Sequence, residues 1–251
     1  MNNLTGIILT HNNEPTIARS VQSIKPLVSE LIIIDDLSTD QTLDIIKKEY
    51  PAVRIFHKKL LRFDEQRNYG ISLASNDWIL MIDSDEIVNP ELVAAIRSID
   101  LTADIDGYWA VRMKKFFSVY LKETVPERPI LFKGFLRFIN PVHEVVIIDR
   151  NKVGRLSGWL MHEDWLGVSA NMSKMNAYSS LLAKKWLEQN RNYNDFQLLI
   201  FATFFPVVCF FDYLFKKRFY KAGLNGLLYA ALLSADWLVV ILKYRELKRR
   251  N

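Results

Sequence analysis

Short apolar runs alternate with amphipathic stretches over the first hundred residues of the chain. Leu4 to Thr10 has the nearly unbroken apolar character of a buried strand, and Glu14 to Leu27, with Pro15 near its start, reads as a helix. Leu31 to Asp35 predicts a second strand, after which Ser38, Thr39 or Asp40 can cap a helix running to about Tyr50. Val53 to Phe56 predicts a third strand, followed by a helix from about Asp64 to Ala74. Trp78 to Ile82 predicts a fourth, and Pro90 opens another helix. Strands alternating with helices at this spacing imply an α/β fold with a mostly parallel, doubly wound sheet flanked by helices. Ligands of such sheets bind beyond the carboxyl ends of the strands.

From about Gly107 to Leu160 the texture changes to strand-rich segments broken by Pro126, Pro129, Pro141, Gly134 and Gly154. Asn171 to Gln189 returns to a helical pattern. From Phe196 onward come two apolar stretches separated by Lys216, Lys217, Arg218 and Lys221. We therefore expect a catalytic-type α/β domain over residues 1–165 and a helical appendage over residues 166–251.

Half of the 251 residues are apolar, ample for one sizeable core plus an appendage. The single cysteine, Cys209, allows no intrachain disulfide and lies in a Phe-rich run, where an inert thiol is expected. The polar start Met1-Asn2-Asn3 runs straight into the first strand, so no signal peptide and a cytoplasmic location are expected. The net charge of +5 is uneven. Residues 1–160 carry 20 Lys/Arg against 21 Asp/Glu, whereas residues 161–251 carry 13 against 7. A basic excess at one end suggests an anionic partner there. Aromatic residues and long apolar runs accompany it, which favours a lipid surface over nucleic acid.

The strands of the first half end in polar residues. The first is followed by His11-Asn12-Asn13-Glu14, the second by Asp35-Asp36 and the fourth by Asp83-Ser84-Asp85-Glu86. In a parallel sheet these clusters fall on one rim. Helix capping accounts for one such cluster, and for Asp40, but poorly for three. Asp83 and Asp85, two residues apart after an apolar strand, leave the strand end on one face. Two carboxylates so placed can share a hard divalent cation whose open positions take diphosphate oxygens.

The segments Leu9 to Glu14, Ile33 to Thr42, Gln66 to Gly70 and Asp83 to Glu86 occur in the order seen in family 2 glycosyltransferases of the GT-A type, and the chain resembles that family over roughly residues 4–100. More loosely, Val142-His143-Glu144, the His162 segment and Gly223 to Gly226 resemble the branch of lipopolysaccharide core glucosyltransferases. The resemblance implies a GT-A fold, an inverting transfer of a sugar from a UDP-sugar donor, glucose in that branch, and Mg²⁺ or Mn²⁺ as cofactor. It implies that Thr10, Asn12 and Glu14 line the nucleotide pocket, that Asp36 binds base or ribose with Asp35 beside it, and that Arg67 meets the nucleotide or its diphosphate. Asp85 would bind the metal directly, and Asp83 the ribose, or the metal through water. An inverting transferase needs a base for the acceptor proton. Glu144, with His143 beside it, is the candidate; a structural salt bridge is the other reading. The Glu-Asp pair that carries this base in many family members is not found here. His162 is either a metal or diphosphate contact or a merely hydrogen-bonded histidine.

In the appendage, sixteen residues without charge separate Asp195 from Asp212, and fourteen separate Lys221 from Asp236. Either run falls short of a hydrocarbon core of about 30 Å at about 1.5 Å per residue. Asp212 and Asp236 would be costly in mid-membrane. Interfacial helices on the inner face of the cytoplasmic membrane are therefore expected, with a lipid-anchored glycan as acceptor; packing on the catalytic domain or on a second subunit is the alternative. Two other functions share parts of this pattern. A sugar nucleotidyltransferase should carry a Gly-rich basic phosphate loop after the first strand, which Thr10 to Asn13 lacks. An inactive membrane-bound scaffold would have no need of the acidic motif.

Overall fold

The computed structural model describes residues 3–117, 119–122, 128–139, 145–163, 167–189 and 193–250. The chain divides into two compact units. The first comprises Met1–Lys114 and Lys122–Glu163, the second Lys115–Leu121 and Asp164–Asn251.

The first unit opens with β1 (Leu4–Thr10), α1 (Ile17–Ile24), β2 (Glu30–Asp35), α2 (Thr42–Glu49), β3 (Arg54–His57), α3 (Phe63–Ser72) and β4 (Trp78–Asp83). β5 (Glu86–Val88), α4 (Pro90–Arg97), β6 (Gly107–Phe116), β7 (Val119–Lys122), β8 (Leu131–Lys133), β9 (Phe138–Ile139), β10 (Val145–Val146) and β11 (Val153–His162) follow in the chain, with the last two residues of β6 and all but the last of β7 belonging to the second unit. The main sheet has the order β3-β2-β1-β4-β8-β6-β11-β5, with β7 paired to β6. β3, β2, β1 and β4 are all parallel; β8 enters antiparallel between β4 and β6. The mixed α/β sheet with flanking helices is the architecture expected from the sequence.

Alternation sorts the apolar residues to two faces. Leu4, Ile8, Ile33, Leu80 and Ile82 point to one side, where Ile17, Val21 and Ile24 of α1, Ile46 of α2 and Leu92 and Ile96 of α4 cover them. Ile7, Leu9, Ile32, Ile34, Ile79 and Met81 point to the other, against Ile71 of α3 and Phe138 of β9. Gly70 lets α3 approach that face, since a Cβ there would sit 3.0 Å from Ile7 Cγ2. Burial on both faces sets the register, and the register sets the rim. Thr10 lies opposite Asp35, and Leu9 opposite Asp83.

β11 carries His162 to the same end of the sheet through an irregularity. Its pairing with β6 shifts between Arg155 and Trp159, and Gly158 within the shift has φ +83°. Asn89, the cap of α4, clamps this bulge by accepting from Trp159 N (2.9 Å) and Leu92 N (3.0 Å).

The second unit contains α5 (Val168–Glu188), α6 (Asp195–Phe211) and α7 (Gly223–Arg250). Asn194 and Gln197 form a reciprocal capping box at the start of α6. Beyond Phe211 the helix continues as a π-helical turn, Asp212–Lys216, so that a helical stretch of 22 residues runs from Asp195 to Lys216. This corrects the lengths read from the apolar runs. By length and composition Asp195–Lys216 and the 31 residues Phe219–Arg249 are each sufficient to cross a membrane. α5 packs along α7, from Tyr229 against Asn171 to Trp186 against Tyr244. Phe116 stacks on Phe219 and meets the tilted ring of Tyr229 near the start of α7.

Gly158 provides a direct test of the bulge. A Cβ there would lie 2.3 Å from Leu92 N, in addition to the strain of a positive φ. Gly158→Ala should cost about 3 kcal/mol in urea unfolding. Gly134→Ala, whose Cβ would meet ordinary contacts at 3.4 Å, should stay within about 1 kcal/mol. Equal effects at the two positions would contradict this account of β11.

Candidate active site

The turn after β4 is fastened to the loop after β1. Ser84 N donates to Leu9 O (3.0 Å), while Ser84 O accepts from both Thr16 Oγ1 (2.8 Å) and Ser20 Oγ (2.7 Å). Asn13 Nδ2 donates to Ser84 Oγ (2.6 Å). With Ser84 held inward, the carboxylates on either side of it diverge into different surroundings.

Asp83 meets cations. Arg67 of α3 reaches both of its oxygens, Nη1 to Oδ1 at 3.0 Å and Nη2 to Oδ2 at 3.2 Å, and Arg128 Nη2 donates to Oδ2 at 2.9 Å. Burial alone would raise the Asp83 carboxyl, but the charges of Arg67 and Arg128, with Arg112 behind them, hold it well below the usual carboxylate range. Glu86 lies beneath, with no solvent exposure. Its Oε2 accepts from Asp83 N (2.8 Å) and Arg128 Nη2 (2.9 Å), and its Oε1 pairs with Arg112 Nη2 (2.7 Å).

Asp85 meets His162. Oδ2 of Asp85 is 3.3 Å from Nε2 of His162, and Glu163 N donates to Asp85 O at 2.8 Å. Arg112 Nη2 lies 3.4 Å from His162 Nδ1, an arrangement that leaves the ring proton on Nε2, facing Asp85. Both side chains keep some exposure, 28% for Asp85 and 15% for His162. Two donors on adjacent corners of an octahedral divalent ion sit about 3 Å apart. The pair therefore fits one cation, which would take the place of the Nε2 proton. Among the described residues no group of three His, Cys, Asp or Glu is placed to hold a metal, so further ligands would have to come from a bound molecule or water.

At the β1–β2 side of the rim, Asp36 is 17% exposed and accepts from Leu60 N (2.7 Å). Asp35 is fully buried: it accepts from Ser38 N (3.2 Å) and pairs with His57 Nδ1 (3.0 Å), so it holds the turn. Thr10 Oγ1 is buried without a hydrogen-bond partner among the described residues. Asn12, at φ +47°, accepts from Thr39 N (2.7 Å) through its side chain and donates its own N–H to Ser38 Oγ (2.9 Å), tying the two loops together. Glu14 is exposed, and its backbone donates to Asp40 (3.1 Å). The structure thus brings Thr10, Asp35, Asp36, Arg67, Asp83, Asp85 and His162 to one rim. His143 and Glu144 lie outside the described residues.

Reading the sequence did not single out Glu86, Arg112 or Arg128 as site residues. Glu86 was visible beside the acidic pair, but Arg112 stands alone in a strand-like segment and Arg128 between Pro126 and Pro129, with no motif around either.

The Asp83 clamp has a pH signature. Its folded pKa lies below an unfolded value of about 3.9, so its stabilisation is complete above that value and lost as pH falls through the folded one. Asp83→Asn should cost about 2 kcal/mol or more near neutrality. The gap to wild type should hold between about pH 7 and pH 5 and narrow below about pH 4. A gap independent of pH in chemical denaturation would contradict the assignment.

Comparison with known proteins places these features in a family. The family model described as "Glycosyl transferase family 2" matches residues 5–157. An uncharacterized glycosyltransferase of Rickettsia felis is 28% identical over 273 residues, covering 100% of this chain and 93% of its own. The lipopolysaccharide core biosynthesis glycosyltransferase LpsC of Rhizobium meliloti is 24% identical over 237 residues, covering 90% of this chain and 86% of its own. Among solved structures, S. aureus TarS 1-349 is similar with a TM-score of 0.45 and 18% identity, covering 95% of this chain and 81% of that one. The glucosyl-3-phosphoglycerate synthase of Mycobacterium tuberculosis, in complex with Mn²⁺ and uridine-diphosphate-glucose, gives 0.37 and 24%, covering 45% and 44%. The family match takes in more than half of the chain and includes every rim residue named above except His162: the chain belongs to glycosyl transferase family 2.

Proposed function

We propose that this glycosyltransferase inverts the anomeric centre as it moves a sugar, glucose by first expectation, from a UDP-sugar to a hydroxyl of a lipid-anchored glycan such as lipopolysaccharide core. UDP and glucose rest on the motif resemblance, and the acceptor class on the similarity to LpsC. The observation that carries the reading is the rim pairing of Asp85 with His162 beside the three-arginine cluster.

Charge counting supports a divalent ion, Mg²⁺ or Mn²⁺. Arg67, Arg112 and Arg128 are balanced by Asp83, Asp85 and Glu86, so the cluster has no net cation left for a diphosphate. An ion held by Asp85 and His162 would supply that charge and stabilise the departing diphosphate. Arg67 and Arg128, kept in place by Asp83, would face the phosphate oxygens, where guanidinium forks suit such groups. Asp36 and Thr10 would receive the nucleoside, with Asn12 and Glu14 shaping the loop beside it. Glu144 takes the acceptor proton as the new C–O bond forms and the anomeric C–O bond breaks toward UDP; His143 would orient it.

A donor screen tests this reading, scoring transfer and hydrolysis across sugar nucleotides with and without Mn²⁺. Asp85→Ala and His162→Ala should abolish both reactions while circular dichroism stays unchanged. Activity undiminished by a chelator would refute the metal assignment. Glu144→Gln should bind donor normally but turn over roughly 10²-fold or more slowly. Normal turnover would remove Glu144 as the base.

A further inference from the structure

The second unit exposes two long apolar stripes. On α6, Phe196, Leu199, Phe204, Val208 and Phe211 are all more than half exposed, and Phe215 extends the same face beyond the helix. Only 6% of the most apolar stretch of Asp195–Lys216 is buried. On α7, Leu224, Leu228 and Leu242 follow one another along a second exposed stripe. Leu198 of α6 sits in a shared core with Ile241 and Tyr244, and Phe205 packs edge-on against Trp237, which places the two helices side by side. Continuous apolar surface on this scale marks a contact with a partner or a membrane.

Charge identifies the occupant. Lys216, Lys217, Arg218 and Lys221 precede α7, and Arg245, Lys248 and Arg249 close it. A 28-residue helix is about 42 Å long at about 1.5 Å per residue, so these basic groups flank the apolar stripe at both ends. An anionic leaflet satisfies both ends together with the stripe between them. A second copy of the chain docked on the same face would bring basic ends against basic ends.

Length alone would allow α6 and α7 to cross, yet α7 does not stand alone. α5 runs along it, fixed by Lys243 Nζ, which donates to Asn176 O (2.7 Å), Ser179 Oγ (2.9 Å) and Ser180 Oγ (2.9 Å). The exposed side of α5 carries Met172, Tyr178 and Leu181, and among them the polar and charged Ser173, Lys184, Lys185 and Glu188. A crossing α7 would drag these groups into hydrocarbon, where charges are costly, and would carry one basic end to the far face.

We infer that α6 and the exposed stripe of α7 form a single face that seats in the plane of an anionic leaflet, neither helix crossing, with α5 on the water side. This deepens the membrane-surface reading of the acceptor and rests on it. The mode is that of an interfacial helix pair, in which apolar burial and basic attraction act together.

The test uses the full chain added to preformed vesicles of phosphatidylcholine, with or without phosphatidylglycerol. In a Cys209→Ser background, Lys221→Cys and Arg249→Cys report the two ends, and Val208→Cys reports the exposed face of α6. Both end positions should react with an impermeant maleimide applied outside, while a fluorophore at position 208 should be quenched by brominated acyl chains. Replacing Lys216, Lys217, Arg218 and Lys221 by Gln should weaken partitioning to anionic vesicles by roughly fivefold per residue, the equivalent of about 1 kcal/mol each. One end protected until detergent is added would establish a span and overturn the in-plane seat. No flotation, with a dimer in solution, would replace the lipid by a second copy. Donor hydrolysis measured on the same samples separates these failures from failure of the transferase assignment.

Discussion

A carboxylate with no access to solvent is costly unless both of its oxygens find partners, and Glu86 is such a group. Arg112 arrives from β6 and Arg128 from the segment before β8, so three pieces of chain far apart in sequence close on one point. The consequences spread outward. Glu86 also receives the backbone N–H of Asp83, which fixes the start of the turn, and Arg128 continues to the Asp83 side chain, where Arg67 joins it. Arg112 leans on His162 and so helps to set which ring nitrogen faces Asp85. Asp85 is then the acidic residue of this turn that no arginine holds among the contacts described, and it faces the rim with a histidine.

That division of labour bears on function. Asp83 and Asp85 are two residues apart and look equivalent as a motif, but the surroundings make one an anchor for arginines and set the other beside His162. Ser84 enforces the separation, because its carbonyl takes hydroxyls from Thr16 and Ser20 and its N–H caps β1. A balanced site of this kind has little attraction for a diphosphate by itself. A donor and a divalent ion should therefore bind as a unit.

Much of the first half was legible in the sequence because burial on both faces of a parallel sheet leaves near-continuous apolar strands, and β1, β2, β3 and β4 fall within a residue or so of the segments expected. Acidic strand ends were legible for the same reason. The second half was legible only in part: the helix expected over Asn171–Gln189 is α5, but the strand arrangement was not readable. β8 inserts antiparallel between β4 and β6, and β11 needs the Gly158 bulge to bring His162 to the rim, both long-range outcomes without a local pattern. Arg112 and Arg128 escaped notice because an isolated arginine acquires meaning only from a partner dozens of residues away. In the appendage, charged residues marked the ends of apolar runs but not of helices: Asp212 and Lys216 continue the helix as a π turn. Asp35 shows the reverse error of emphasis, since the motif pairs it with Asp36 while the structure buries it against His57 and Ser38.

Coupled binding of nucleotide and metal is the central claim, and calorimetric titration of UDP into the full-length protein measures it most directly. The account predicts that UDP binds with Mn²⁺ present, that affinity falls by at least tenfold when the ion is removed, and that Asp85→Ala in the presence of Mn²⁺ behaves like the metal-free wild type. Equal UDP affinity with and without the ion, unchanged in Asp85→Ala, would contradict it.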